Sequence, residues 1–127
     1  MKVSNFIINI TSENPEKMAA FYRDIVGLKP QPEMGDGALE IVPGTTLHVS
    51  GHSDTRGPTK EPQRVLINFF VDDLASEQAR LEKVGVKFIR KDGLEWWGGH
   101  ISTFVDPDGN YGQLVQYRPD DATEEPK

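Results

Sequence analysis

Cysteine is absent from the 127 residues, so disulfides, thiolate metal sites and cysteine nucleophiles are excluded. Any metal would have to be held by histidine and oxygen ligands. Long apolar runs are missing too, and nothing approaches the twenty or so residues that a membrane-spanning helix needs. The opening MKVSNFIINI carries one lysine, and Asn9 breaks its apolar stretch, which is too short for a secretory signal. Cytoplasmic residence is the resulting expectation, with no membrane partner. Positive charge is in deficit: 14 Lys and Arg against 20 Asp and Glu give a net charge of -6. That balance argues against nucleic acid, whose phosphates demand a basic footprint, and weakly favours a cationic ligand. No serine nucleophile elbow, phosphate loop or dinucleotide fingerprint is present. What remains, 36% hydrophobic and 27% charged, is the composition of an ordinary globular domain.

The chain repeats itself. Ile7-Ile8-Asn9-Ile10 reappears as Leu66-Ile67-Asn68-Phe69, and Val26-Gly27-Leu28-Lys29 reappears as Val84-Gly85-Val86-Lys87. Two matches at nearly one offset, about 60 positions, point to a duplicated unit. In each copy a strand comes first, at Phe6 to Ile10 and at Val65 to Val71, where β-rich residues alternate. A helix follows. In the first copy Asn14 caps Pro15, and Met18, Tyr22 and Ile25 form the buried stripe. In the second Asp73 precedes Leu74, and Leu81 and Val84 continue the stripe after Gln78. Gly27 and Gly85 stand where each helix must stop.

Strand, turn and strand then close each copy: Ala38 to Val42 and Thr46 to Ser50, then Ile101 to Val105 and Tyr111 to Tyr117. The second pair is joined by Asp106-Pro107-Asp108-Gly109, a strong turn signal with a scaffold role. The expected organisation is a single domain over 1–127. Module 1 covers about 1–50, a linker or mobile flap 51–64, module 2 65–118 and a disordered acidic tail 119–127.

Strand alternation sorts side chains by face. Phe6, Ile8 and Ile10, like Val65, Ile67, Phe69 and Val71, suit packing against a helix. The opposite faces carry Ile7 and Asn9 in one copy and Leu66, Asn68 and Phe70 in the other. The last strands add His48 and Gln113 to those faces, in equivalent places. A mixed polar and apolar surface of this kind suits the wall of a partly wet pocket.

SENPEKMAAFYRDIVGL, FFVDDLASEQARLEKVGVKF and WWGGHISTFVDPDGNYGQLVQ together resemble the vicinal oxygen chelate superfamily, the glyoxalase, bleomycin-resistance and extradiol dioxygenase group. The resemblance runs from about Phe6 to Tyr117. It implies an α+β fold in which two βαβββ modules form a curved mixed sheet around a cleft, usually assembled as a homodimer. In members that use a metal, four cleft positions supply His, Glu or Gln ligands. Matched residue by residue, these are Ile7, His48, Leu66 and Gln113 here. Two are aliphatic and offer no lone pair, so the resemblance carries no complete metal site into this chain, and no cofactor is expected.

Candidate ligand-binding residues are then Asn9, His48, Asn68, Phe70, Trp96, Trp97, His100 and Gln113. His48 is also the candidate general base, since imidazole titrates near neutrality. Trp96 and Trp97, ahead of Gly98-Gly99, would form an aromatic lid, with His100 at the mouth. The leading expectation is metal-free binding of a small organic molecule, in the manner of drug sequestration by bleomycin-resistance proteins. One alternative is a glyoxalase- or dioxygenase-like enzyme with a divalent metal in a non-standard site around His48 and Gln113. The other is a structural or partner-binding dimer with a vestigial cleft.

Overall fold

The computed structural model describes residues 1–127, and the chain divides into two compact units, Met1–Pro58 and Thr59–Lys127. In the first unit, β1 (Ile7–Thr11) leads into α1 (Pro15–Ala20). The helix continues as a π-helical segment, Phe21–Val26. β2 (Lys29–Pro30), a short 3-10 turn at Pro32–Met34, β3 (Ala38–Val42) and β4 (Thr45–Ser50) complete it. The strands lie in the order β1-β4-β3-β2, with β1 parallel to β4 and the other pairs antiparallel.

The second unit repeats this plan with β5 (Ile67–Phe70), α2 (Leu74–Lys83), β6 (Phe88–Leu94), β7 (Gly99–Val105) and β8 (Tyr111–Tyr117). Its order is β5-β8-β7-β6, and again only the first pair is parallel. The architecture is therefore α+β, two four-stranded mixed sheets, each with one principal helix. No helix is long and apolar enough to cross a membrane.

Both helices begin as their sequences dictate. The Asn14 side chain accepts from the Lys17 N–H, with Pro15 preset at the first helical position, and the Asp73 carboxylate accepts from the Ser76 N–H. Gly27 and Gly85 end them at φ of 97° and 91°, a region costly for any residue with a Cβ. Met18 and Tyr22 are fully buried beneath α1 with Leu47 and Val49. Beneath α2, Leu74 and Leu81 pack with Leu114 and Phe104. Phe104 anchors that core, with Phe69 stacked at 6.2 Å and Phe88 edge-on at 6.2 Å. Gly112 lies directly under its ring, where a side chain would collide.

The structure departs from the sequence reading at several ends. Phe6 and Val65, assigned to helix-packing faces, are 59% and 69% exposed because the strands start after them, at Ile7 and Ile67. Val84 caps α2 and is exposed rather than part of its buried stripe. Residues 51–64 are tied at both ends. Thr55 Oγ1 bonds Thr11 Oγ1 at 2.8 Å and the Gly57 N–H donates to Glu13, while Thr59 bonds the carbonyl of Asp108 and the side chain of Asn110. The tail, read as disordered from 119, begins with a 3-10 turn at Pro119–Asp121. The Thr123 N–H donates to the Trp96 carbonyl at 2.6 Å, so main-chain bonds extend beyond the last strand.

Candidate functional site

Each sheet packs its helix on one face and leaves the other free of it. On the free face of the first unit the register sets Asn9 beside His48 and Thr11 beside Ser50. Ala38 lies on the far side of His48, and Glu40 beside Thr46. Most of the polar groups here are already paired. Ser50 Oγ donates to Asn9 Oδ1 at 2.9 Å, and Thr46 Oγ1 to Gln31 Oε1 at 2.7 Å. The half-buried His48 makes no hydrogen bond, and its Nε2 faces Gly35, where a side chain would come into van der Waals contact with it. Its two ring nitrogens are open to a ligand, as is the Nδ2 of neighbouring Asn9, whose Oδ1 alone is engaged.

In the second unit Asn68, Gln113 and Thr103 lie side by side across β5, β8 and β7. Gln113 Nε2 donates to Asn68 Oδ1 at 2.6 Å, and Thr103 Oγ1 donates to Gln113 Oε1 at 3.0 Å. An amide is suited to this place because it gives at one end and receives at the other. A carboxylate could only receive. Apolar groups flank the row: Leu66 is exposed, and Phe70, 68% exposed, borders a shallow concavity of about 270 Å³ lined also by Val71, Asp72, Gln116 and Tyr117.

The same face ends in an aromatic pair. Trp97 stacks on Tyr117 with ring centroids 6.2 Å apart and lies over Gly99, which has no side chain to displace it. Tyr117 is four residues beyond Gln113 on β8, roughly 13 Å along the strand. The WWGG segment thus joins β6 to β7 as a tight turn. Its main chain is held by Glu95 N–H to the Gly99 carbonyl, Gly98 N–H to the Glu95 carbonyl and Arg118 N–H to the Gly98 carbonyl. Trp96 is partly exposed, and its carbonyl receives Thr123.

His100 falls elsewhere. Alternation along β7 places it with Ser102 and Phe104 on the side that packs α2, so it does not stand at the mouth of the free face. It is buried, with Nδ1 2.8 Å from Asp92 and Nε2 2.6 Å from Asp121. Hydrogen bonds to Asp121 and then Asp92 raise its pKa from the ordinary 6.5, against the opposing pull of burial. Neither Asp92 nor Asp121 was singled out by sequence. The signal available was the eight-residue separation of Asp92 and His100 across a hairpin. Asp121 lay in a segment read as unstructured.

A divalent metal fits the matched positions poorly. Ile7 and Leu66 have no donor atoms, which leaves two neutral groups, the His48 imidazole and a Gln113 Oε1 that already accepts from Thr103. No group of three or more His, Asp or Glu side chains is placed to hold a metal ion.

Comparison with known proteins gives a consistent result. The family model described as the Glyoxalase/Bleomycin resistance protein/Dioxygenase superfamily matches residues 6–114. Among solved structures, an integron cassette protein from the mobile metagenome of V. cholerae superposes with a TM-score of 0.72 at 21% identity, over 93% of this chain and 98% of the other. A member of the same superfamily from Sphaerobacter thermophilus DSM 20745 gives 0.68 at 23% identity, over 91% and 98%. TnmS3, an antibiotic binding protein from Streptomyces sp. CB03234, gives 0.66 at 27% identity, over 93% and 99%. None of the curated proteins matches the chain significantly.

Proposed function

Because the chain belongs to the Glyoxalase/Bleomycin resistance protein/Dioxygenase superfamily, we propose that it binds a small organic molecule without a metal, as a cytoplasmic homodimer. The observation that carries this reading is the donor inventory of the four matched positions. Ile7 and Leu66 supply nothing, Gln113 is held in its row with Asn68 and Thr103 and keeps only one spare lone pair on Oε1, and His48 makes no hydrogen bond. Two neutral donors do not hold a dication, which needs several N or O ligands and compensating charge. One free imidazole on a mixed polar and apolar face does suit an organic ligand that gives or accepts a single hydrogen bond.

The free face of the second unit offers ring faces of its own, at Phe70, Tyr117 and Trp97, and the net charge of -6 favours a neutral or cationic molecule over an anion. The antibiotic-binding relative supports a small organic ligand. On the free face of the first unit His48 would orient the ligand, with Asn9 beside it.

Thermal shift with a panel of planar aromatic and cationic antibiotics tests this, with and without EDTA. At a hundredfold excess over Kd a true ligand stabilises the protein by about 2.7 kcal/mol. The expected shift is indifferent to EDTA and is reduced in His48→Ala. Stoichiometric metal in protein purified without chelator, or a shift abolished by EDTA, would overturn the metal-free reading in favour of a glyoxalase- or dioxygenase-like enzyme.

A further inference from the structure

The cluster around His100 has chemistry of its own, independent of the ligand-binding face. A neutral imidazole carries one N–H, whereas carboxylates near neutral pH only accept. His100 can therefore satisfy Asp92 at 2.8 Å and Asp121 at 2.6 Å together only as the imidazolium, donating from both nitrogens. The two acids come from separate parts of the second unit, Asp92 from β6 and Asp121 from the C-terminal turn. We propose that protonated His100 is a latch that holds the C-terminal segment, residues 119–123, against the Trp96–Gly98 turn, and that deprotonation releases the segment.

Asp92 is the fixed arm. It lies within the register shift of β6 between Arg90 and Gly93, at a φ of 48° that Asp tolerates better than most residues, and its N–H donates to Ser102 Oγ at 2.9 Å. Asp121 is the movable arm, since it lies outside the sheet, in a turn whose own bonds are Asp121 N–H to the Arg118 carbonyl and Ala122 N–H to the Pro119 carbonyl. Loss of one proton forces one contact to become lone pair against lone pair, and the arm free to move is Asp121.

Other charges near His100 are few. Arg118, just before the turn, opposes protonation. β8 presents the uncharged Gln116 opposite His100, and β6 presents Leu94. From α2, Gln78 is engaged with Ser102, and Glu82 is tied to Lys91. The direction of the switch is fixed by sign. His100 has a raised pKa when docked, so its contribution is complete below the free imidazole value of 6.5 and is lost as pH rises through the docked value. The segment is closed below the free value and opens as pH rises through the docked one.

The release has a local consequence. Arg118 and Thr123 bond the carbonyls of Gly98 and Trp96, so the closed segment buttresses the turn that lays Trp97 over Gly99 and against Tyr117. The protein also supplies its own reporter. Its only two tryptophans are Trp96 and Trp97, and their emission reads this turn and nothing else.

The experiment is a pH titration of tryptophan emission and of the Thr123 amide protection factor, with the His100 ring followed by NMR and the fold by circular dichroism. The expected result is a red shift and a fall in protection that track the His100 titration, about tenfold in the opening equilibrium per pH unit between the free and docked values. Asp121→Asn, on the arm outside the sheet, should remove that step while leaving the fold intact, and His100→Gln should leave the segment open at every pH. A step of unchanged size in Asp121→Asn, or a His100 ring that titrates with no change in emission or protection, would overturn the latch.

Discussion

Gln113 shows why an uncharged amide can stand on a strand otherwise built for burial. Its two ends meet groups of opposite need: Asn68 Oδ1, which accepts, and the Thr103 hydroxyl, which donates. Thr103 is buried and Asn68 is exposed, so the two partners differ in what they lose when the amide is removed. Gln113→Leu leaves the Thr103 hydroxyl without its acceptor and away from water, while Asn68 turns to solvent. The expected loss is about 1–2 kcal/mol, read as a lower urea midpoint with unchanged slope. Gln113→Glu keeps an acceptor for Thr103, and the Asn68 amide can rotate to present its NH₂. That variant should remain within about 0.5 kcal/mol of the parent. If Leu and Glu proved equally destabilising, the row would not be the source of the effect. His48, lacking such partners, is free for a ligand at no cost to the fold.

At the scale of elements, the turn between the 3-10 segment and β3 has the strictest demand. Gly37 adopts a φ of 82°, and a Cβ there would run into the backbone carbonyl of Val49, which itself receives support through the Val49 N–H to Gly37 carbonyl bond at 2.9 Å. Backbone cannot swing aside as a side chain can. Gly37→Ala should therefore cost on the order of 3 kcal/mol, measured by chemical denaturation. An effect below about 1 kcal/mol would mean that β3 and β4 shift to make room. The sequence marks Gly35-Asp36-Gly37 only as a turn, because Gly is equally expected wherever a chain reverses. Legibility was uneven in the same way elsewhere. The repeat, the caps at Asn14 and Asp73 and the pairing of helix with strand were all readable, since each rests on local chemistry or on periodicity. The π-helical course of Phe21–Val26 was not, because the i to i+4 spacing of Met18 and Tyr22 fits an α-helix equally well. His100 was misplaced for want of strand parity: Gly99, not Ile101, begins β7, and the residue's role depends on Asp121, 21 positions further on in a segment whose polarity suggested no structure. The equivalence of His48 and Gln113 was visible in the alternation, but the closure of Gln113 onto Asn68 and Thr103 required the register.

For the molecule as a whole, the apolar groups left uncovered are concentrated at the free edges. β1 and β5 each close one side of a four-stranded sheet, and Ile7, Val65 and Leu66 at these edges are all more than 40% exposed. An edge of this kind presents unpaired main-chain groups together with hydrocarbon, a combination that soluble proteins ordinarily cover or blunt with charge. Association with a second copy is the cover consistent with the proposed homodimer, and closed symmetry would bury the same edge on both protomers. Leu66→Glu separates this from a role inside the unit. The side chain is already 42% exposed, so a carboxylate there stays hydrated, and the unit should keep its circular dichroism spectrum and lose no more than about 1 kcal/mol. Across an interface the same carboxylate would be desolvated without a partner, at a cost of several kcal/mol. The expected outcome by light scattering at micromolar concentration is a dimer for the parent and a folded monomer for Leu66→Glu. A parent that is monomeric throughout that range contradicts the assembly, and a variant that stays dimeric places the interface away from β5.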